Sequence, residues 1–119
     1  MKLARLGIAA LACTLAIAAH AHGFLEKSDP RVGSTVHAAP TELRLWFSEP
    51  LEPAFSSVQV TDAQGQHVEE GRSQVDKKER GLMRVALKKL GAGSYTATWR
   101  IVSLDTHVTQ GHFVFHVAP

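Results

Sequence analysis

The feature that most constrains the fold is a strict two-residue alternation of apolar side chains in the C-terminal third of the chain. Two runs show it: the first contains Tyr95, Ala97, Trp99 and Ile101, and the second contains Phe113, Phe115 and Val117. Such alternation places every second side chain on the same face of a β-strand. The sequence therefore predicts two long strands, each with one buried face.

Shorter runs of the same kind predict further strands at 43–47, 55–62 and 82–87. Turn-forming residues separate them, among them Ser28-Asp29-Pro30, a hairpin-like turn at 63–66 and a charged turn at 77–81. Beyond residue 21, no segment keeps a helical period for two turns. We predict an all-β domain of about seven antiparallel strands, arranged as a Greek-key β-sandwich or small barrel.

The N-terminus has the layout of a secretory signal peptide. Lys2 and Arg5 precede an apolar stretch at 6–18, and Ala19-x-Ala21 supplies the small residues of a cleavage site. We expect residues 1–21 to be removed on export. Residues 22–119 then form one domain that begins with His22.

Charge and cysteine content exclude several classes of protein. Of the 13 basic residues, Lys2 and Arg5 lie in the predicted signal peptide, which leaves 11 basic and 11 acidic residues in the domain. A neutral domain without a basic cluster is not typical of nucleic-acid binding. Cys13, in the apolar stretch, is the single cysteine, so we expect no disulfide in the domain. Because Ala10-Leu11-Ala12-Cys13 faintly resembles a lipoprotein cleavage site, lipidation of Cys13 is a weaker alternative to cleavage after Ala21.

Three residues are candidate metal ligands. Cleavage after Ala21 would give His22 a free α-amine, which can chelate one ion together with the imidazole of the same residue. Asp105 and His107 are two positions apart, so an extended segment would project both side chains to the same side. Two imidazoles, an amine and a carboxylate suit Cu(II), and Ni(II) or Zn(II) less well.

Two alternatives to this ligand set stay open. Asp105 can cap a turn, with His107 exposed to solvent beside it. His112 lies close enough in sequence to serve as an alternative ligand.

Several distinctive sequence blocks follow one another along residues 22–119. They are Leu25 to Pro30, Phe47-Ser48-Glu49-Pro50, Gly93-x-Tyr95-x-Ala97-x-Trp99-Arg100, Ser103-x-Asp105-x-His107 and Gly111-His112-Phe113-x-Phe115. In this order, the blocks resemble the CopC family of periplasmic copper-binding proteins, which includes the PcoC copper-resistance proteins. The resemblance covers nearly all of residues 22–119.

The resemblance implies a cupredoxin-like or immunoglobulin-like Greek-key barrel with a Cu(II) site. Its ligands would be the α-amine and imidazole of His22, with Asp105 and His107. Glu49 would be an outer carboxylate that accepts the distal N–H of a ligating histidine. Some family members also hold Cu(I) in a methionine-rich loop. This domain has one methionine, Met83, at a predicted core position, so we expect no such Cu(I) site.

The sequence thus predicts a monomeric periplasmic Cu(II)-binding protein that sequesters or delivers copper and is not an enzyme. By family analogy alone, its partner would be an inner-membrane copper transporter of the CopD type. Two alternatives belong to other classes of protein. A terminal histidine with a second histidine is also the copper arrangement of oxidative polysaccharide monooxygenases, and a metal-free β-sandwich could be an adhesion or interaction module.

Overall fold

The computed structural model describes residues 24–119, which form eight β-strands and one short 3-10 turn at Pro53–Phe55. The strands are β1 (Leu25–Asp29), β2 (Thr35–Val36), β3 (Glu42–Phe47), β4 (Ser57–Thr61), β5 (Glu69–Val75), β6 (Leu82–Leu87), β7 (Gly93–Val102) and β8 (Val108–Val117). Over this range, no helix has the length and apolar character needed to cross a bilayer. The predicted signal peptide and His22 lie outside the described residues.

The strands form two four-stranded sheets that pack as a sandwich. One sheet has the order β1-β3-β6-β5 and the other β2-β8-β7-β4. The prediction of an all-β sandwich of about seven strands is confirmed, with eight strands within residues 24–119. One pairing differs from the prediction: β2 pairs with β8 in parallel, not antiparallel. The two-residue β2 is too short to show an alternating pattern, so it could not be predicted from the sequence.

The core lies between the sheets and contains the alternating apolar residues that were predicted to be buried. Each predicted inward-facing set is buried, whereas the intervening side chains of the long strands point outward. The buried sets are Leu43, Leu45 and Phe47 in β3; Val58 and Val60 in β4; Met83, Val85 and Leu87 in β6; Tyr95, Ala97, Trp99 and Ile101 in β7; and Phe113, Phe115 and Val117 in β8.

β5 is a strand that the sequence did not predict. The turn at 63–66 is present, but the chain then crosses to the other sheet and forms an edge strand with a mostly exposed, polar sequence. Two of its side chains bind edge amides of β4: Ser73 Oγ accepts from Val58 N at 3.1 Å, and Glu69 Oε2 accepts from Val60 N at 2.9 Å. Polar residues are therefore useful here, because they satisfy a strand edge that would otherwise be open.

The side chain of Trp99 packs where a side chain at position 111 would otherwise lie, so residue 111 has to be glycine. Its ring packs edge-on against Phe47, with the ring centroids 5.1 Å apart. Gly111 lies opposite Trp99 across the β7–β8 pair, and a Cβ built on Gly111 would be 2.6 Å from Trp99 Cζ2.

Replacing this glycine should therefore overpack the core. Gly111→Ala should lower the free energy of unfolding by about 1–3 kcal/mol, the usual cost of an inserted carbon in a close-packed interior. Urea unfolding measures the change. Gly91→Ala is the matched control, because a Cβ there meets no atom within 4 Å. Equal stability of the two variants would show that Trp99 can move aside without cost.

Asp76 organises the turn between β5 and β6. Its Oδ2 accepts hydrogen bonds from Glu79 N at 2.7 Å and Lys78 N at 3.0 Å, and its Oδ1 accepts one from the Arg84 guanidinium. The backbone N–H of Glu79 and these other donors lower the pKa of Asp76 below its ordinary value of 3.8, because they stabilise the ionised form.

A lowered folded-state pKa makes the contribution of Asp76 dependent on pH. The stabilisation is complete above the unfolded-state pKa of about 3.9 and is lost as the pH falls through the lower folded-state value. Asp76→Asn should reduce stability at pH 7 and flatten its decline below about pH 4, as measured by urea unfolding across this range. Glu70→Gln, in the preceding strand β5, controls for the change in net charge. An unchanged acid profile for Asp76→Asn would contradict this role.

Candidate metal centre

The candidate site lies where connections from the two sheets meet. One connection follows β3, and the other joins β7 to β8 (residues 103–107). Leu51 and Ser103 form an antiparallel bridge between them, and Leu104 N donates to Pro50 O at 3.1 Å. Because Leu51 and Ser103 are both buried, the bridge fixes the start of the second connection against the body of the sandwich.

Asp105 and His107 are in contact in this connection. Asp105 Oδ2 lies 3.3 Å from His107 Nδ1, and each side chain is about half exposed, at 50% and 53%. The prediction that the two side chains lie together is confirmed, but the expected extended backbone is wrong. Residues 104 and 105 form a turn, and Thr106 N donates to Ser103 O at 2.9 Å.

Hydrogen bonds keep Asp105 ionised. The Ser103 hydroxyl donates to its Oδ1 and, with the side chain and backbone of His107, lowers the pKa of Asp105 from 3.8 to about 2. Each of these groups stabilises the charged form of the acid. At neutral pH, the loop therefore presents a carboxylate next to an imidazole, which are two donors suited to a borderline divalent metal ion.

Ser103 belongs to the Ser103-x-Asp105-x-His107 block, but no role was predicted for it from the sequence. Only the Ser-x-Asp spacing pointed to it, and that spacing does not reveal that the serine is buried with its hydroxyl on the carboxylate.

The first described residues run close to the other connection. Phe24 N donates to Ser48 Oγ at 3.0 Å, and Ser48 N donates to Phe24 O at 2.9 Å. Glu49 follows Ser48, is partly buried and lines a surface groove together with Trp46. The predicted ligand His22 is outside the described residues, two positions before Phe24.

The remaining histidines lie elsewhere or have other partners. His112 is opposite Thr98 in β8, about 13 Å along the strand from Val108, so it is remote from His107. His37 Nδ1 is 2.9 Å from Ala118 O. Within residues 24–119, no three or more histidine, cysteine, aspartate or glutamate side chains form a group that could hold a metal ion. Asp105 and His107 are therefore two candidate donors, not a full set.

Comparison with known proteins places this fold and loop in a family. Residues 25–118 match the family model of the CopC domain. The chain belongs to the CopC family. The match runs from β1 to the end of β8 and includes the Asp105–His107 connection, so the family extends over both the sandwich and the candidate site.

Solved structures agree with this assignment. The crystal structure of CopC from Methylosinus trichosporium OB3b superposes with a TM-score of 0.77 at 32% identity and covers 82% of this chain and 95% of that one. PcoC, a methionine-rich copper resistance protein from Escherichia coli, gives a TM-score of 0.71 at 31% identity over 82% of this chain and 100% of its own.

A longer relative contains a similar domain. The copper transport protein CutJ of Bacillus subtilis is 33% identical over 98 residues, which is 82% of this chain. The chain spans only 18% of the length of CutJ.

Thr106 holds the turn between the two candidate ligands in an unfavourable backbone conformation. Its φ is +70°, which is rare for a β-branched residue. Its hydroxyl donates to Asp105 O at 2.6 Å, but the left-handed conformation costs about 1–2 kcal/mol for a residue with a Cβ. Glycine adopts the same conformation without this cost.

Thr106→Gly should therefore be at least as stable as the wild type. We expect a gain of up to about 1 kcal/mol in the free energy of unfolding, because glycine relieves the strain but makes the unfolded chain more flexible. Thr106→Val is the matched control: it keeps the branched Cβ and should give no gain. Denaturant unfolding of the metal-free proteins measures both. A loss of more than 1 kcal/mol in Thr106→Gly would show that the loop is not strained at this residue.

Proposed function

We propose that this chain is an exported, periplasmic Cu(II)-binding protein that sequesters copper or hands it over. Residues 1–21 would be its signal peptide and 22–119 its domain. The ion would be held by the α-amine and imidazole of His22, with Asp105 and His107. The observation that carries the proposal is the carboxylate–imidazole contact at 3.3 Å on a fixed loop of a CopC-family sandwich.

The separation of the two donors is compatible with one shared ion. First-row divalent metals bind nitrogen and carboxylate oxygen at about 2.0–2.2 Å, so two donors at adjacent positions of one ion lie about 3 Å apart. Asp105 Oδ2 and His107 Nδ1 are already near this distance. Only small side-chain movements would be needed on binding, which limits the cost of ordering the site.

The course of the backbone supports a contribution from the mature terminus. Phe24 pairs with Ser48, and Pro50, two residues later, pairs with Leu104 in the candidate loop. His22 is two residues before Phe24, and two residues reach at most about 7 Å. An N-terminal donor is thus expected near the loop that carries Asp105.

Glu49 is the proposed outer carboxylate. It lies between Ser48, which pairs with Phe24 just before β1, and Pro50, which pairs with Leu104 in the connection that carries Asp105. A carboxylate at this position could accept the distal N–H of a ligating imidazole and fix the orientation of the ring, a common arrangement around metal-bound histidine.

The donor set favours Cu(II) over Cu(I). Amine, imidazole and carboxylate are hard or borderline donors, whereas Cu(I) prefers thiolate and thioether. The one methionine outside the proposed signal peptide, Met83, is fully buried in the core. Its sulfur is therefore expected to contribute packing and not metal binding.

We propose a binding role and not catalysis. An oxidative enzyme needs an open coordination position, which Asp105 would occupy in the proposed site. The copper-loaded protein should therefore consume oxygen with ascorbate no faster than the same copper in a simple chelate. By family analogy alone, we propose a membrane copper transporter of the CopD type as the partner, and a monomeric protein.

Removal of either candidate side chain should weaken Cu(II) binding without unfolding the domain. His107→Ala removes an exposed side chain, so stability should change by no more than about 0.5 kcal/mol. Asp105→Ala should cost more stability, because it leaves the buried Ser103 hydroxyl without its carboxylate acceptor, but the domain should stay folded. Affinity, measured by competition titration of the processed protein, should fall by more than the roughly 10–100-fold effect typical of outer partners. Glu49→Gln should fall within that smaller range.

His112→Ala is the matched control for an exposed histidine outside the site, and it should bind copper like the wild type. Wild-type affinity in His107→Ala or Asp105→Ala would remove that residue from the ligand set. If Glu49→Gln were as damaging as His107→Ala, Glu49 would be a direct ligand and not an outer partner. Absence of Cu(II) binding by the processed wild type would favour a metal-free interaction module.

A further inference from the structure

Ser103 is a polar residue in an apolar position. Its exposed fraction is 2%, and it is one of three buried polar residues within 24–119, the others being Ser28 and Ser56. A buried hydroxyl is costly unless it is hydrogen-bonded. The partners of Ser103 therefore show what the residue contributes to the fold.

Within residues 24–119, the hydrogen bonds of Ser103 go to the Asp105–His107 loop. Its hydroxyl donates to Asp105 Oδ1, its N–H donates to His107 O at 3.0 Å, and its carbonyl accepts from Thr106 N at 2.9 Å. Its Oγ also lies 3.4 Å from His107 O. A serine hydroxyl has one proton to donate, and the ionised carboxylate is the stronger acceptor.

We propose that Ser103 is a positioning residue for the metal centre: its hydroxyl fixes the Asp105 carboxylate so that Oδ1 is occupied and Oδ2 is presented beside His107. This inference rests on the proposed Cu(II) site. It goes further in one respect, because it makes Asp105 a monodentate ligand through a defined oxygen.

The burial of Ser103 explains how its hydroxyl can hold the Asp105 carboxylate in one orientation. Its bridge to buried Leu51 anchors the backbone to the connection that contains Glu49, whereas Asp105 itself is half exposed. An exposed carboxylate on a loop samples several rotamers. A bond to an immobile buried donor restricts these rotamers before the metal arrives, so less ordering remains for the metal to impose.

The variant Ser103→Ala tests the inference. In the processed protein, Cu(II) affinity should fall about tenfold or more, in the range of lost outer partners, and the copper EPR parameters should change because Asp105 can reorient. Ser103→Thr keeps the hydroxyl and should restore both properties. Ser56→Ala is the matched control, since the Ser56 hydroxyl is also buried but binds the backbone of Val102. It should keep wild-type copper binding.

A double-mutant cycle separates positioning from general loosening of the loop. If Ser103 acts through the carboxylate, Ser103→Ala should weaken binding no further in an Asp105→Ala background. Additive losses, or wild-type affinity and EPR parameters in Ser103→Ala, would overturn the inference while leaving the proposed function intact.

Failure of the proposed function has a different signature. In that case Asp105→Ala and His107→Ala would bind copper like the wild type, or the wild type would not bind it, and the inference about Ser103 would fall as well. If Ser103→Ala does not fold, as judged by thermal unfolding without metal, Ser103→Thr decides the question. A folded Ser103→Thr protein with weakened binding would contradict the proposal.

Discussion

The candidate site depends on the bridge between Leu51 and Ser103, because this bridge ties a connection of one sheet to a connection of the other. Leu51 is fully buried and Ser103 nearly so, and their position is therefore set by the same close packing that stabilises the core. The polar groups of the following loop are anchored through Ser103. A small sandwich without a disulfide in residues 24–119 can in this way hold a carboxylate and an imidazole 3.3 Å apart on a surface loop.

Most of the fold could be predicted because burial and sequence period coincide in its central strands. The buried face of β7 could be predicted from the alternating pattern alone, because side chains two positions apart lie on the same face of a strand. Its residues are Tyr95, Ala97, Trp99 and Ile101. β5 could not be found in this way. It is an edge strand whose side chains serve the neighbouring strand edge and not the core, so its composition is that of a loop. β2 depends on a long-range parallel pairing with β8, which leaves no local signal.

The proximity of Asp105 and His107 was predicted from the sequence, but the conformation of the loop that brings them together was not. The two-residue spacing of Asp105 and His107 suggested one shared side of an extended segment, and their side chains do meet. They do so through a turn in which Thr106 has a positive φ, a conformation that is rare for a β-branched residue. Ser103 gave no local signal of its role because its burial comes from the bridge to Leu51, which is distant in sequence. The positive φ of Thr106 and the burial of the Ser103 hydroxyl both depend on long-range packing, so neither can be predicted from a short sequence motif.

The most direct test of the proposed function concerns the mature N-terminus. Cu(II) affinity and EPR parameters should be compared for protein that begins at His22 and for protein with one additional glycine before it. The extension keeps the imidazole but converts the α-amine into an amide. If the amine is a ligand, affinity should drop by at least about tenfold, or ~1.4 kcal/mol, and the spectrum should report a changed nitrogen donor. Equal affinity and identical EPR parameters would contradict the amine-chelate site and leave copper to be held by side chains alone.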